Sequence, residues 1–246
     1  MKTGLIVIGD EILSGKRQDR HFARTIELLR ERGMELGWCR IVGDDPALIV
    51  ATLRQTMASP DLVFSCGGIG ATPDDHTRLC AARAAGVELA RHPEAVAEME
   101  ARFGPGLSPA RDLLAHLPAG SQIIPNPYNR VPGFSMGHHH FLPGFPEMAW
   151  PMMAWLLDHR YSHLHRAAPD SERILIVQAR EGELLEMMED FVARYPACRL
   201  SSLPELGREP VLELGVRGAS AEVEAALHYW QAGLTARHIV WREKSQ

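Results

Sequence analysis

The sequence predicts an α/β protein with a three-layer, mostly parallel sheet in residues 1–165 and a small α+β domain in residues 170–246. Two observations predict the first part: short continuous apolar runs alternate with segments of helical period, and the runs end in glycine followed by acid. A third predicts the second part. Beyond a polar stretch the order changes to strand, helix, strand, strand, helix, strand.

The apolar run at residues 5–8 has the form of a strand buried on both faces. Residues 19–32 place Phe22, Ile26, Leu28 and Leu29 at helical spacing, and Gly33 is the stop signal. A strand follows at 36–42, then a helix at 46–58 with Leu48, Ile49 and Leu53 expected to face inward. Leu62, Val63 and Phe64 make a third buried strand, followed by a glycine loop and a helix over 76–85. Such repetition implies right-handed crossovers, with helices on both faces of the sheet.

Residues 91–116 keep a helical pattern broken by Pro93, Pro105 and Pro109, which predicts short helices in an excursion over the sheet. Further strands are expected at 123–124 and 140–142. Pro146 suits a helix start, where its missing N–H costs nothing. Met148, Met152, Met153, Leu156 and Leu157 give that helix a core face. Residues 158–172 are polar, contain Pro169 and are the best linker candidate. Strands at 173–179, 199–206, 211–216 and 237–241, with helices at 183–194 and 221–232, then make a βαββαβ sandwich of ferredoxin-like type.

Composition narrows the function. With 46% hydrophobic and 23% charged residues, the 246-residue chain can bury a real core. A net charge of −5 speaks against a nucleic-acid-binding face. Residues 170–246 also lack a basic run. Four cysteines, at 39, 66, 80 and 198, form no Cys-x-x-Cys pair, which fits reduced thiols in a cytoplasm. The first apolar run is too short for a signal-peptide core, and no stretch approaches twenty apolar residues, so no membrane association is expected.

In an open parallel sheet, ligands bind beyond the carboxyl ends of the strands. There the sequence places Gly9-Asp10-Glu11, Gly43-Asp44-Asp45, Gly67-Gly68-Ile69-Gly70-Ala71-Thr72-Pro73-Asp74-Asp75 and Pro143-Gly144-Phe145-Pro146-Glu147. Glycine lets a backbone approach a ligand closely and turn its N–H groups toward phosphate oxygens. Carboxylates beside such a nest repel phosphate unless a divalent cation lies between them, Mg²⁺ being the usual one. Taken singly, Asp10, Asp44 and Asp74 are ordinary cap or turn residues. Four loops converging on one edge favour a site for the set. Asn126 and Asn129 are either turn residues or ligand contacts. His138, His139 and His140 cannot share one ion, because consecutive strand residues point to opposite faces. Cys66 is expected to be a small buried residue and no nucleophile.

The ordered motifs Gly9-Asp10-Glu11-Ile12-Leu13-Ser14-Gly15, Val42-Gly43-Asp44-Asp45 and Gly67 through Thr77 resemble the MoaB/Mog-like molybdopterin-binding domain. The version found at the front of CinA proteins and of eukaryotic FAD synthase is closer. Pro125-Asn126-Pro127, Pro132-Gly133-Phe134 and Leu142 through Met148 continue the match. The C-terminal part is similar to the small KH-like domain that follows in CinA proteins, and no amidase domain is expected. Cys66 and Ala71 stand where the family has Thr and Pro, and Asp19-Arg20-His21 where it has Asp-Thr-Asn.

The resemblance implies a metal-dependent nucleotide pyrophosphatase acting on ADP-ribose or a related dinucleotide such as FAD. The alternative it leaves is a non-catalytic module that binds molybdopterin or a nucleotide. On the first view Asp75 and Asp74 are catalytic, and Asp10, Glu11, Asp45 and Asp74 hold Mg²⁺, Mn²⁺ or Co²⁺. Gly67, Gly68, Gly70, Thr72, Asp44, Asn126, Pro143 and Gly144 would then contact the ligand. A homo-oligomer, taken as a dimer, is implied likewise.

Overall fold

The computed structural model describes residues 1–166, 171–205, 207 and 210–244. The chain folds as two compact units, Met1–Arg166 and Ala167–Gln246. In the first, β1 (Thr3–Ile8) leads through the single turn α1 (Asp10–Leu13) to α2 (His21–Arg30). β2 (Leu36–Val42) leads to α3 (Pro46–Met57), and β3 (Leu62–Cys66) to α4 (Thr77–Ala85). The excursion follows as β4 (Leu89–Arg91), α5 (Pro93–Phe103), α6 (Pro109–Leu114) and β5 (His116–Pro118). The chain returns through β6 (Gln122–Ile124), β7 (Gly133–Met136) and β8 (His139–Leu142), then closes with α7 (Pro146–His159).

The main sheet has the order β2-β1-β3-β8-β7-β6. Its first four strands are mutually parallel; β7 and β6 add an antiparallel edge. Alternation along β1 explains the layers. Leu5 and Val7 join Leu28 and Leu29 of α2 and the methionines Met152 and Met153 of α7. Ile6 and Ile8 face the other way, against Ile49 and Leu53 of α3 and Cys80 of α4. Each such fully buried aliphatic side chain contributes roughly 1.5–3 kcal/mol.

Several elements depart from expectation. On α2 the buried face is His21, Thr25, Leu28 and Leu29, whereas Phe22 and Ile26 are exposed. The helical phase is off by one position because polar His21 and Thr25 take core sites; Thr25 Oγ1 donates to Met153 Sδ at 3.6 Å. Leu48 is likewise exposed, and Thr52 and Thr56 flank Ile49 and Leu53 on the inner face of α3. β7 is a strand that the apolar pattern does not predict. Only glycine fits at Gly133, where a Cβ would lie 2.4 Å from the Phe141 carbonyl oxygen of β8. The β4–β5 ribbon pairs only three residues a side, too few for a periodicity to appear. The start of the expected linker is the last turn of α7, where Asp158 accepts from Arg32 Nε and Nη2 at 2.5 and 2.7 Å. Residues 167–170 of that linker lie outside the described residues.

The three histidines at 138–140 diverge as alternation requires. His139 meets Thr56 Oγ1 at 3.0 Å, while His138 and His140 both reach the Tyr161 hydroxyl on the opposite face. Arg160 donates to Ser135 Oγ at 2.9 Å, and the same hydroxyl lies 2.8 Å from His140 Nδ1. His140 Nε2 lies 2.7 Å from the Tyr161 hydroxyl.

The second unit contains β9 (Ser171–Val177), α8 (Leu185–Arg194), β10 (Arg199–Glu205), β11 (Val211–Gly218), α9 (Ser220–Ala236) and β12 (Trp241–Glu243). Its antiparallel order, β10-β11-β9-β12, is the ferredoxin-like one. α9 runs past the expected end at 232 because Leu234 continues the buried line of Val223, Leu227 and Trp230. The last strand is displaced to match. The final residue of the strand expected at 199–206 lies outside the described residues. Among the described residues no helix is long and apolar enough to cross a membrane.

Candidate functional site

The loops after β1, β2, β3 and β8 border one cavity of about 510 Å³. Of the residues singled out in the sequence, Glu11, Asp44, Gly67, Gly68, Gly70, Thr72, Asp74, Asp75, Asn126, Pro143 and Gly144 line it. Asp10 and Asp45 do not. Asp45 caps α3, accepting from the N–H of Ala47 at 2.7 Å and of Leu48 at 3.2 Å, which satisfies donors every helix start leaves open. Asp10 clips two loops together: its N–H donates to Asp44 Oδ2 at 2.9 Å, and the Asp44 N–H donates to Asp10 Oδ1 at 3.1 Å. Both are metal ligands on the sequence reading. In the structure one oxygen of each, Oδ1, accepts backbone N–H groups.

The glycine loop is shaped by its glycines. Gly67 and Gly68 have φ of +112° and +67°, values L side chains avoid. A Cβ on Gly67 would sit 2.1 Å from the Ile8 carbonyl oxygen. Thr77, at the first turn of α4, holds the loop from below. Its hydroxyl donates to the Gly67 carbonyl at 3.0 Å and its N–H to the Gly68 carbonyl at 2.9 Å. Arg78 holds it from the side, donating to the Gly70 carbonyl at 2.7 Å and to the His116 carbonyl of β5 at 3.1 Å. Burial pulls the Arg78 guanidinium below its ordinary pKa, against the pull of Asp75. Thr77 closes the third sequence motif but is given no role there, and Arg78 looks like an ordinary helix residue.

Which amides remain free decides what the loop can hold. The Gly67 N–H is spent on the Leu142 carbonyl at 3.0 Å, and the Thr72 N–H on Asp75 Oδ2 at 2.9 Å. This corrects the expected cradle. The N–H groups of Gly68, Ile69, Gly70 and Ala71 carry no partner among the described residues and border the cavity. Successive free N–H groups of this kind make an anion nest. Asn126 is 4% exposed and its amide holds the turn, accepting from the Tyr128 N–H and donating to the Val131 carbonyl. It is a turn residue at the cavity wall. Met148, placed in the core by the sequence pattern, also lines the cavity, where Asn129 Nδ2 reaches its sulfur at 3.5 Å.

Four carboxylates and one cation, Arg17, face the cavity among the described residues. Desolvation raises the Asp44 carboxyl above its usual range, opposed by the Asp10 N–H and reinforced by the charges of Asp10, Glu11 and Asp74. Asp74 lies below the usual range through the Thr72 hydroxyl first and its own backbone N–H second. The Thr72 hydroxyl proton itself is in a short bond to Asp75 Oδ2. The 2.5 Å separation makes Asp75 its acceptor here. Arg17 is anchored by its N–H to the Glu11 carbonyl at 2.9 Å, and its guanidinium has no partner among the described residues. The sequence signal for it, a Lys16-Arg17 pair in the first loop, is slight.

His21 stands behind the Gly144 loop. It is buried, its Nε2 lies 3.0 Å from the Gly144 carbonyl oxygen, and burial lowers its pKa. It is thus a neutral Nε2–H donor that orients Gly144, and a Cβ on Gly144 would touch Gly67 Cα at 3.4 Å. Burial also drives the Cys66 thiol far above its ordinary value, so it is an inert core residue.

Fold and cavity together define an α/β domain with a cavity bordered by glycine-loop amides at the carboxyl edge of its sheet. Residues 4–163 match the family described as a probable molybdopterin binding domain, and the chain belongs to that family. Among curated proteins it is 33% identical over 185 residues to a CinA-like protein of Syntrophotalea carbinolica, covering 72% of this chain and 45% of that one. It is 31% identical over 239 residues to a CinA-like protein of Geobacter metallireducens, covering 92% and 56%. The chain thus spans about half the length of these relatives. A solved structure of CinA from Thermoplasma acidophilum, described as of unknown function, superposes with a TM-score of 0.58 at 28% identity, over 64% of this chain and 98% of that one.

Proposed function

We propose that the first unit binds the pyrophosphate of ADP-ribose, or of a related dinucleotide such as FAD, together with a divalent cation, and hydrolyses it. The observation that carries this is the pairing of four free loop N–H groups with four cavity carboxylates, Glu11, Asp44, Asp74 and Asp75. An anion nest ringed by acids is self-contradictory unless a cation joins the two. Hard oxygen donors suit Mg²⁺, Mn²⁺ or Co²⁺. Among the described residues no three His, Cys, Asp or Glu groups converge on one point, so one or two carboxylates and the ligand's own oxygens would hold the ion. When bound, it supplies charge neutralisation at the pyrophosphate.

In this scheme the N–H groups of residues 68–71 and the Arg17 guanidinium meet the phosphate oxygens. Asp75 Oδ1, which has no hydrogen-bond partner among the described residues, orients a water toward phosphorus. The water oxygen forms a bond to phosphorus as the bridging P–O bond breaks, and ADP-ribose plus water yields AMP plus ribose 5-phosphate. One observation favours a second reading, a module that binds molybdopterin or a nucleotide without chemistry: Asp75 Oδ2 is already held by Thr72.

Incubation with ADP-ribose, FAD and NAD under Mg²⁺, Mn²⁺ and Co²⁺ tests both, with an Asp75→Asn variant alongside. The hydrolase reading expects AMP from wild type and at least about a hundredfold less from the variant. Ligand-dependent thermal stabilisation without turnover would replace it with the binding module.

A further inference from the structure

A second cavity, of about 620 Å³, opens on the far side of the turn that carries Asn126, which lines both. Its charge is the reverse of the first: Arg102 and Arg130 face a single acid, Glu98. Arg130 adopts a left-handed φ of 60°, unusual for a side chain of its size, and its guanidinium pairs with Glu98 at 3.3 Å. That leaves the Arg102 guanidinium without a partner among the described residues. Tyr128 is 63% exposed, and its ring and hydroxyl have no partner among them either. Its backbone is not free: the Tyr128 N–H is fixed by Asn126 Oδ1 at 3.0 Å. The opposite wall is formed by Pro151 and Trp155, whose ring is already stacked on His159 and covered by Arg160. The cavity therefore offers a vacant π-face on a rigid turn, beside a vacant planar cation.

We infer that this cavity is a nucleobase subsite, in which a heteroaromatic ring stacks on Tyr128 with Arg102 at its edge, while the attached phosphates occupy the loop amides across Asn126. The subsite rests on the assignment of those amides to phosphate. It gives the rest of the ligand a place and makes a nucleotide preferred to a bare polyphosphate. Stacking on an aromatic ring tolerates any base, so the subsite selects for a base without strongly selecting which one.

The test is calorimetric titration of the full chain, in Mg²⁺, with ADP and separately with inorganic pyrophosphate, using wild type, Tyr128→Ala and Tyr128→Phe. Tyr128 is exposed, so neither substitution disturbs the core. The subsite predicts that ADP binds wild type more tightly than pyrophosphate, that Tyr128→Ala weakens ADP about tenfold, that Tyr128→Phe does not, and that pyrophosphate is unaffected by both. Equal ADP affinity in wild type and Tyr128→Ala overturns it. So does a change in solution mass in Tyr128→Ala with ADP affinity intact, which would make the cavity a contact between copies. No pyrophosphate binding to wild type, with Tyr128-dependent ADP binding retained, would overturn the phosphate assignment and with it the placement of the base across Asn126, whereas Tyr128-independent ADP binding overturns the subsite alone.

Discussion

Acid should loosen the first unit through His139 and His140, two buried neutral histidines on adjacent positions of β8. Burial, reinforced by neighbouring positive groups, pushes His139 down to about 4 and His140 to about 3. In the unfolded chain each returns to about 6.5. A folded value below the unfolded one means that the unfolded state binds protons first. The stabilisation is therefore complete above about pH 6.5 and is lost as pH falls toward 4 and 3. Between about pH 7 and 5 the loss is about 2 kcal/mol per histidine, about 4 kcal/mol for the pair, a large share of a typical domain stability of about 5–15 kcal/mol. Amide hydrogen exchange across β8, corrected for intrinsic rates, should show protection falling roughly a thousandfold between these pH values. The variant His139→Gln with His140→Gln keeps polar partners for Thr56, Ser135 and Tyr161 but cannot titrate, and its protection should change far less. Equal pH dependence in wild type and variant, or no fall in wild type, would refute the reasoning.

Three further outcomes follow from the site. Gly67→Ala combines a disallowed φ of +112° with a Cβ 2.1 Å from the Ile8 carbonyl, and should cost about 3 kcal/mol or more in urea unfolding, against about 1 kcal/mol for Gly137→Ala, where space is open. Arg78→Ala removes the buried clamp on the Gly70 carbonyl; pyrophosphate affinity should drop about tenfold while β9 to β12 keep their exchange protection. Because desolvation and nearby acids raise Asp44, protons compete with a cation there in acid: affinity for Mn²⁺ should climb as pH rises through the raised Asp44 value and then level off, and Asp44→Asn should flatten the profile in a titration by electron paramagnetic resonance.

The parts of this molecule legible in the sequence are those governed by local periodicity and strand order. β1, β2 and β3 announce themselves as apolar runs, and the glycine–acid loops that follow them do meet at one cavity. What stays hidden depends on contacts between distant segments. The phase of α2 slips because His21 has a partner at Gly144 that makes a polar residue acceptable in the core. The Gly67 amide drops out of the cradle only once β3 lies beside β8, whose Leu142 carbonyl takes it. Asp10 and Asp45 carry the right chemistry for a cation, yet neither lines the cavity, and a loop clip and a helix cap each use one of their oxygens, a distinction residue type alone does not make. Arg78 gives no periodic or motif signal and Arg17 only a slight one, because their roles come from where the backbone aims a long side chain.

If the loop amides and the carboxylates act together through a cation, ADP-ribose cannot bind well without one. Calorimetric titration of ADP-ribose into the wild-type chain, once with Mg²⁺ and once with the metal chelated, tests this most directly. The expected result is binding with Mg²⁺ and a loss of at least about tenfold in affinity without it. Equal affinity in both conditions, or no binding with Mg²⁺, would contradict it.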